Sequence, residues 1–466
     1  MATGERWGTT SADDGAAPAG PDGASDDAVD RRARVVGRLV AWYPVGWVLG
    51  LAPAFWPVMA VVALGAVWRT RLDRISKALL VLLISLLLSV GVGLVAGYGS
   101  LDRVVGYAAN VAVWVGVLGC VCLLGHASLV HRTAFVRAAA VMGVSHTVIS
   151  LGALVLYPTS LPLPLPSSIA GSLPVGIRAF VSNKLVDESW LDGVVFRTIG
   201  TMGRPTWSGA VSALTVLLLA HRFAAKSPRG KALAVLGMLL ATVNVYYSFS
   251  RATQIALVVA VLYALCRIVW RLPAFGPLIA LAGLFVTSVL ALANWSTLVA
   301  GLVEVESARE GSSETRGAIY AATLERIAEL PLPVLGYGLK PRQDGLVASV
   351  ATHSTYLGLA FRAGLIGLVA FLVILVLCWR YCGRSESPIP RAIVLVIGLW
   401  CILEDFDPGH LVPVFLVAAL CLASTGLAST ESTLPSEEPP GRIPEPPPVI
   451  SAVGSGLIGG RGSDER

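Results

Sequence analysis

The sequence predicts an all-α fold, a polytopic helical membrane protein with about 12 transmembrane helices. Three observations predict it. Charged residues make up only 14% of the 466-residue chain, against about 25% in soluble domains. Hydrophobic residues reach 55%, and the mean hydropathy is +0.73. Apolar runs almost free of Asp, Glu, Lys and Arg recur from Leu39 to Leu427, and several exceed the roughly 18 residues that mark a span. A water-soluble globule is excluded. The net charge of +6 and pI of 9.0 do not point to nucleic acid. The bases sit in short clusters between apolar runs, where membrane topology accounts for them.

The runs fall at 37–51, 54–68, 78–97, 104–125, 138–157, 207–221, 232–249, 252–269, 275–299, 354–378, 391–404 and 410–427. Pro44, Pro53 and Pro57 interrupt the first two, so these form one tilted helix or a hairpin. Charge favours the hairpin. Arg31, Arg32, Arg34 and Arg38 lead into the first run, and Arg69, Arg71, Arg74 and Lys77 follow the second. With both clusters in the cytoplasm, Arg132/Arg137, Arg222/Lys226/Arg229/Lys231, Arg267/Arg271 and Arg380/Arg384/Arg391 also fall inside, as the positive-inside rule requires. Both termini are then cytoplasmic.

Residues 1–36 lack an apolar stretch followed by a small-residue cleavage site, and they are expected to form a disordered cytoplasmic tail. Residues 428–466, with Pro446-Pro447-Pro448, are expected to be a second one. The domain between them, 37–427, carries two long outer loops. The first, 158–206, opens with Leu161-Pro162-Leu163-Pro164-Leu165-Pro166, which cannot continue a helix. The second, 300–353, lies between spans 9 and 10. In it Ser313 can cap a helix that runs to Leu330 and stops before Pro331 and Pro333, ahead of a Gly336-Tyr337-Gly338 turn. Tyr320, Leu324 and Ile327 make one apolar stripe, with Arg316 on the same face. An interfacial helix on the outer leaflet would present that Arg beside the bilayer. The seven cysteines lie in apolar runs or at their ends, without zinc-site spacing.

Ionisable groups at membrane depth are costly, which makes each one a candidate. Arg251, in Ser248-Phe249-Ser250-Arg251, falls at the outer face, where it either snorkels or binds substrate. Arg316 taken singly reads as a solvated loop charge. His353 precedes a long apolar helix, and a neutral imidazole there can take a proton from a hydroxyl. Convergence changes the weighting. A topology drawn from the basic loops alone puts Arg251, Arg316 and His353 on one side, with Glu404, Asp405, Asp407 and His410 as a further outer cluster. Two guanidiniums and an imidazole suit a substrate with a pyrophosphate and a sugar. The long loop shows no paired metal-binding carboxylates, so Arg would take a cation's place at the leaving group. No metal or cofactor is expected.

Thr315-Arg316-Gly317, Leu335-Gly336-Tyr337-Gly338-Leu339 and His353-Ser354-Thr355-Tyr356-Leu357 through Arg362-Ala363-Gly364-Leu365-Ile366-Gly367-Leu368 resemble the O-antigen ligase/polymerase superfamily. Ser250-Arg251 resembles that family's Ser-Arg at the outer end of a helix. The resemblance implies a GT-C-like, metal-independent, inverting glycosyltransferase of the plasma (inner) membrane with its active site outside. It would move a glycan from a polyprenyl-pyrophosphate carrier to an acceptor hydroxyl on a glycan or lipid. By position, Arg251 and Arg316 would hold the pyrophosphate, and His353 would orient or deprotonate the acceptor. Tyr356, Tyr337, Glu404 and Asp405 are candidates for acceptor contact or support. Ser354 stands where relatives often have Asn, and Arg362 where an acidic residue is common. The Arg either shifts the charge balance toward an anionic substrate or is tolerated at a helix surface.

The main competitor is a secondary transporter or flippase of lipid-linked glycan, whose site would lie near the midplane. His146, Asn244 and Asn294 are polar there, but no run holds a central carboxylate suited to ion coupling. His146 reads as a hydrogen-bonded packing residue. A non-catalytic assembly protein would leave the outward Arg/Arg/His set without a role.

Overall fold

The computed structural model describes residues 23–67, 70, 72–156, 184–187, 197–223, 227–271, 283, 289, 310–330, 333–341, 349–406 and 411–431. The Pro-punctuated start of the first outer loop, almost all of the ninth apolar run, Asp407, His410 and the chain outside 23–431 lie outside the described residues. Those described form a helical bundle: α1 (Gly23–Val48), α2 (Phe55–Val67), α3 (Arg74–Val95), α4 (Leu101–His126), α5 (Leu129–Leu156), α6 (Pro205–Phe223), α7 (Pro228–Tyr247), α8 (Arg251–Val269), α9 (Glu310–Ala328), α10 (Thr355–Cys382), α11 (Ile389–Leu403) and α12 (Val412–Glu431). A two-residue antiparallel pair, β1 (Val186–Asp187) with β2 (Arg197–Thr198), is the one departure from all-α among them.

Each apolar run inside the described residues is helical, yet only six of these helices are long and apolar enough to cross a membrane: α3, α4, α5, α7, α8 and α10. Three shorter apolar helices, Ala52–Gly65, Ile389–Leu403 and Val412–Ser424, accompany them. The chain is thus a helical membrane protein, but the count of 12 spans is not reproduced. Length accounts for part of this: the 13 residues of α2 rise about 20 Å, short of a hydrocarbon core of about 30 Å, and the ninth run lies almost wholly outside the described residues.

The first two runs are a hairpin. A Cβ on Gly65 would meet the Arg32 guanidinium, and the rings of Tyr43 and Phe55 lie 5.1 Å apart, edge to face. Helix α1 begins at Gly23, well inside the stretch expected as tail. Hydropathy misses this extension because it is charged. Asp27/Arg31 and Asp30/Arg34 have the acid-before-base i,i+4 order that favours helix. Asp30 also docks it, accepting the Ser128 N–H at 2.9 Å. Helix α9 likewise begins at Glu310, so Ser313 is an interior residue rather than a cap.

Helix α10 packs along α3 and is broken in its first third by Gly364, whose φ is +64°. Its N-cap Ser354 accepts the Leu357 N–H at 3.4 Å. The break lets the Gly336-Tyr337-Gly338 turn lie against it. Tyr337 and Gly338 donate their backbone N–H groups to the carbonyls of Phe361 and Arg362, both at 2.8 Å. A Cβ on Gly364 would stand 2.4 Å from the Val334 carbonyl group, and φ is left-handed there, so only glycine fits. Ser89 of α3 donates to the Leu335 carbonyl and fixes the loop's other side. Below the loop an open apolar groove of about 470 Å³ runs between α3 and α10, lined by Val81, Val334, Leu365, Ile366, Val369 and Val373.

Candidate functional site

Several long-range bonds gather separate segments at one end of the bundle. Arg103 at the start of α4 donates to Ser349 Oγ at 2.7 Å, and Asn110 on the same helix donates to the Phe406 carbonyl at 2.6 Å. The turn after α11 and the segment before α10 therefore share this end. Thr355 joins them tightly: its backbone N–H and its Oγ1 both donate to the Glu404 carbonyl, at 2.9 and 2.8 Å.

Helix α9 lies over this end. Arg316 Nη2 reaches Glu404 Oε1 at 3.1 Å; the carboxylate is buried and the guanidinium side chain is 28% exposed. One turn on, Tyr320 Oη donates to the His353 carbonyl at 2.7 Å. Thr323 Oγ1, on the same face, accepts the Ala351 N–H at 2.9 Å. Tyr320 of the expected stripe thus clamps residues 351–353 together with Thr323, and Arg316 on the same face pairs with Glu404, whereas Leu324, expected in that stripe, is exposed. Ala351 and His353 both need the clamp, because their φ values are +62° and +64°, a region that costs a side-chain-bearing residue of order 1–3 kcal/mol. Burial holds the Tyr320 phenol above its usual range, Arg316 pulling it down in part and Glu404 pushing it up. The hydroxyl is a donor at neutral pH.

Asp405 is buried beside Glu404 and serves two cations. Arg362 Nη2 approaches its carboxylate oxygens at 2.9 and 3.2 Å, and Lys340 donates to Oδ2. Arg362 is therefore not a surface residue: it is buried, and its Nε also donates to the Gly358 carbonyl at 3.2 Å. Lys340 was missed from the sequence; its signal was its place just after the Gly-Tyr-Gly turn.

Arg251 is the first residue of α8, with Ser250 as its N-cap. Helix α8 packs on α11, and Arg271 past its far end donates to the Glu386 carbonyl in the turn before α11. Helices of 19 and 15 residues rise about 28 and 22 Å, which brings Arg251 to the same end as Glu404. Tyr356 uses its hydroxyl between helices, donating to the Gly398 carbonyl at 2.9 Å, and its ring stacks edge-on to Phe371. Tyr337 is buried, its ring against Phe361 and Tyr98.

Chemically, the arrangement offers a guanidinium on an acidic partner, an imidazole on a strained residue with its backbone pinned, and a further guanidinium at the start of α8, which packs on α11. Residues 236–372 match the family model described as O-antigen ligase. The segment holds the Ser250-Arg251, Arg316, Gly336-Tyr337-Gly338 and His353 motifs, and the resemblance read from them is borne out over it. Neither the curated proteins nor the solved structures contain a match to this chain. The family match supports polysaccharide biosynthesis at a membrane and does not favour the transporter reading.

Proposed function

We propose, from the premise of an O-antigen ligase-like membrane protein, that the chain is an inverting glycosyltransferase. It moves a glycan from a polyprenyl-pyrophosphate carrier to an acceptor hydroxyl at the outer face of the plasma membrane. The observation that carries this reading is the pair of bonds from one face of α9, Tyr320 to the His353 carbonyl and Arg316 to Glu404. His353 takes the proton from the acceptor hydroxyl as its oxygen attacks the anomeric carbon. The bond from that carbon to the phosphate oxygen breaks on the opposite face, and polyprenyl pyrophosphate leaves with the electron pair. Arg316 and Arg251 stabilise the charge that grows on the leaving oxygen, which guanidinium forks do without losing their own charge. The positive charge at the leaving group comes from these side chains, so the reaction needs no metal ion.

Glu404 sets where Arg316 waits, and Asp405 fixes α10 through Arg362. The apolar groove under Val334 runs down from the same loop and gives the prenyl chain a surface within the bilayer. Purified protein in lipid nanodiscs, given a synthetic polyprenyl-pyrophosphate oligosaccharide and acceptor, is expected to release polyprenyl pyrophosphate and extend the acceptor. Product length separates ligation of one chain from polymerisation of repeats. Counterflow of the intact donor across liposomes without any release would refute the reading.

A further inference from the structure

A second polar cluster lies buried among α5, α6 and α7. His146 Nδ1 accepts the Thr201 backbone N–H at 3.2 Å. That group can only donate, so the proton of a neutral ring sits on Nε2, which lies 3.1 Å from Ser208 Oγ. Asn244 donates through Nδ2 to Ser208 at 3.2 Å and to Ser212 at 2.8 Å. His146, Thr201, Ser208, Ser212 and Asn244 are all essentially without solvent contact. Among the described residues Asn244 Oδ1 has no partner. Polar groups at such depth carry a desolvation cost that Ala or Leu would not, so packing alone does not account for five of them.

The cluster ends at the junction that carries Arg251. Ser248, one turn after Asn244, donates its N–H to the Asn244 carbonyl at 2.9 Å. Its Oγ accepts the Ser250 N–H at 3.3 Å, and its carbonyl accepts Arg197 Nε at 3.2 Å. Between them Phe249 holds a φ of +49°. Gly209, next to Ser208, lets α6 touch this bend, since a Cβ there would stand 2.5 Å from Ser248 Oγ. One pair of helix turns is thus tied twice, by side chains within the bundle and by the bend that starts α8.

We propose that the His146–Ser208–Asn244–Ser212 network is a positioning device. It sets the axial register of α7 on α6 and thereby the place of Arg251 at the donor diphosphate. Its functional part rests on the role given above to Arg251. A displacement near 1 Å at a reacting group costs about 100-fold, which is the scale of error the bonds prevent.

Two measurements test it. Asn244→Leu is introduced into the wild-type chain and into Arg251→Ala, and kcat/KM is measured with the lipid-linked oligosaccharide. A loss of about 10- to 100-fold is expected in the first background and no further loss in the second; equal losses in both overturn the proposal. Separately, Arg251→Cys in a chain with Cys266→Ser is labelled by a membrane-impermeant methanethiosulfonate. Adding Asn244→Leu or His146→Phe changes the labelling rate several-fold, whereas Thr215→Val, buried on α6 farther from the junction, leaves it unchanged. Should Asn244→Leu fail to insert, Ser212→Ala removes the bond from Asn244 and the 3.5 Å contact with Thr147 Oγ1, and is read in the same way. An unchanged labelling rate overturns the proposal whatever the activity does. A changed rate together with a fully active Arg251→Ala supports the positioning and removes the donor-binding role of Arg251.

Discussion

Asp405→Asn removes one negative charge from between two cations, and the structure gives the size of the effect. The Asp405 side chain is 2% exposed, Arg362 is 3% exposed and Lys340 is 13% exposed. Breaking a buried pair by neutralising one partner costs about 3–5 kcal/mol, because the other charge stays buried. Here two charges stay. The retained amide still accepts a hydrogen bond, which places the loss near the lower figure, about a hundredfold in the folding equilibrium. Arg362→Met should be milder, because Asp405 keeps Lys340 and the methionine fills the space; loss of a charged hydrogen bond costs about 1.5–3 kcal/mol. The double variant should cost less than the sum of the singles by about 1–3 kcal/mol. Thermal unfolding in detergent, followed by tryptophan fluorescence and by loss of the monodisperse peak, reads all three. If Arg362→Met proves the more damaging single change, or if the double variant is additive, Asp405 is not the shared anion.

His353→Ala should lower glycan transfer by about 10²–10⁴-fold, the usual contribution of a general base, while membrane insertion and melting temperature hold; a radiolabelled donor assay checks it. Arg316→Lys exchanges a planar fork for a point charge and should cost about 10- to 100-fold in kcat/KM for the donor, with wild-type turnover pointing to a solvated charge instead. Tyr320→Phe drops the bond to the His353 carbonyl, worth about 0.5–1.5 kcal/mol. Because burial raises that phenol, its stabilisation is complete below its unfolded value of about 10 and declines as pH climbs through the folded one. The Phe variant should therefore lose less stability in alkaline melts than the parent. Gly364→Ala forces a side chain into a left-handed φ against backbone and should destabilise by at least about 1–2 kcal/mol, seen as a lower melting temperature.

Much of this architecture was legible in hydropathy and loop charge, because both act on whole segments. The basic pairs around the first two runs pointed to a hairpin, which the packing of Gly65 on Arg32 reproduces. The stripe Arg316–Tyr320 was readable because a helix puts i and i+4 on one face. Properties set by tertiary partners were not. Arg362 looked like a surface or charge-balancing residue, since nothing local says that Asp405, on another helix end, will meet it. The start of α1 was hidden because its helix rests on ion pairs and a dock at Ser128 rather than on apolar periodicity. The break at Gly364 was not legible, because 354–378 reads as one continuous apolar run and the Val334 backbone set against it comes from another segment.

The turn after α11 does two jobs through one residue: the Glu404 carbonyl holds the start of α10, and its carboxylate grips the helix that lies across the top. Length in that turn is therefore under tight constraint. A single inserted or deleted residue there would pull the imidazole and its guanidinium companion out of step together, so natural variation in this chain should favour side-chain exchange over insertion or deletion at residues 404–406.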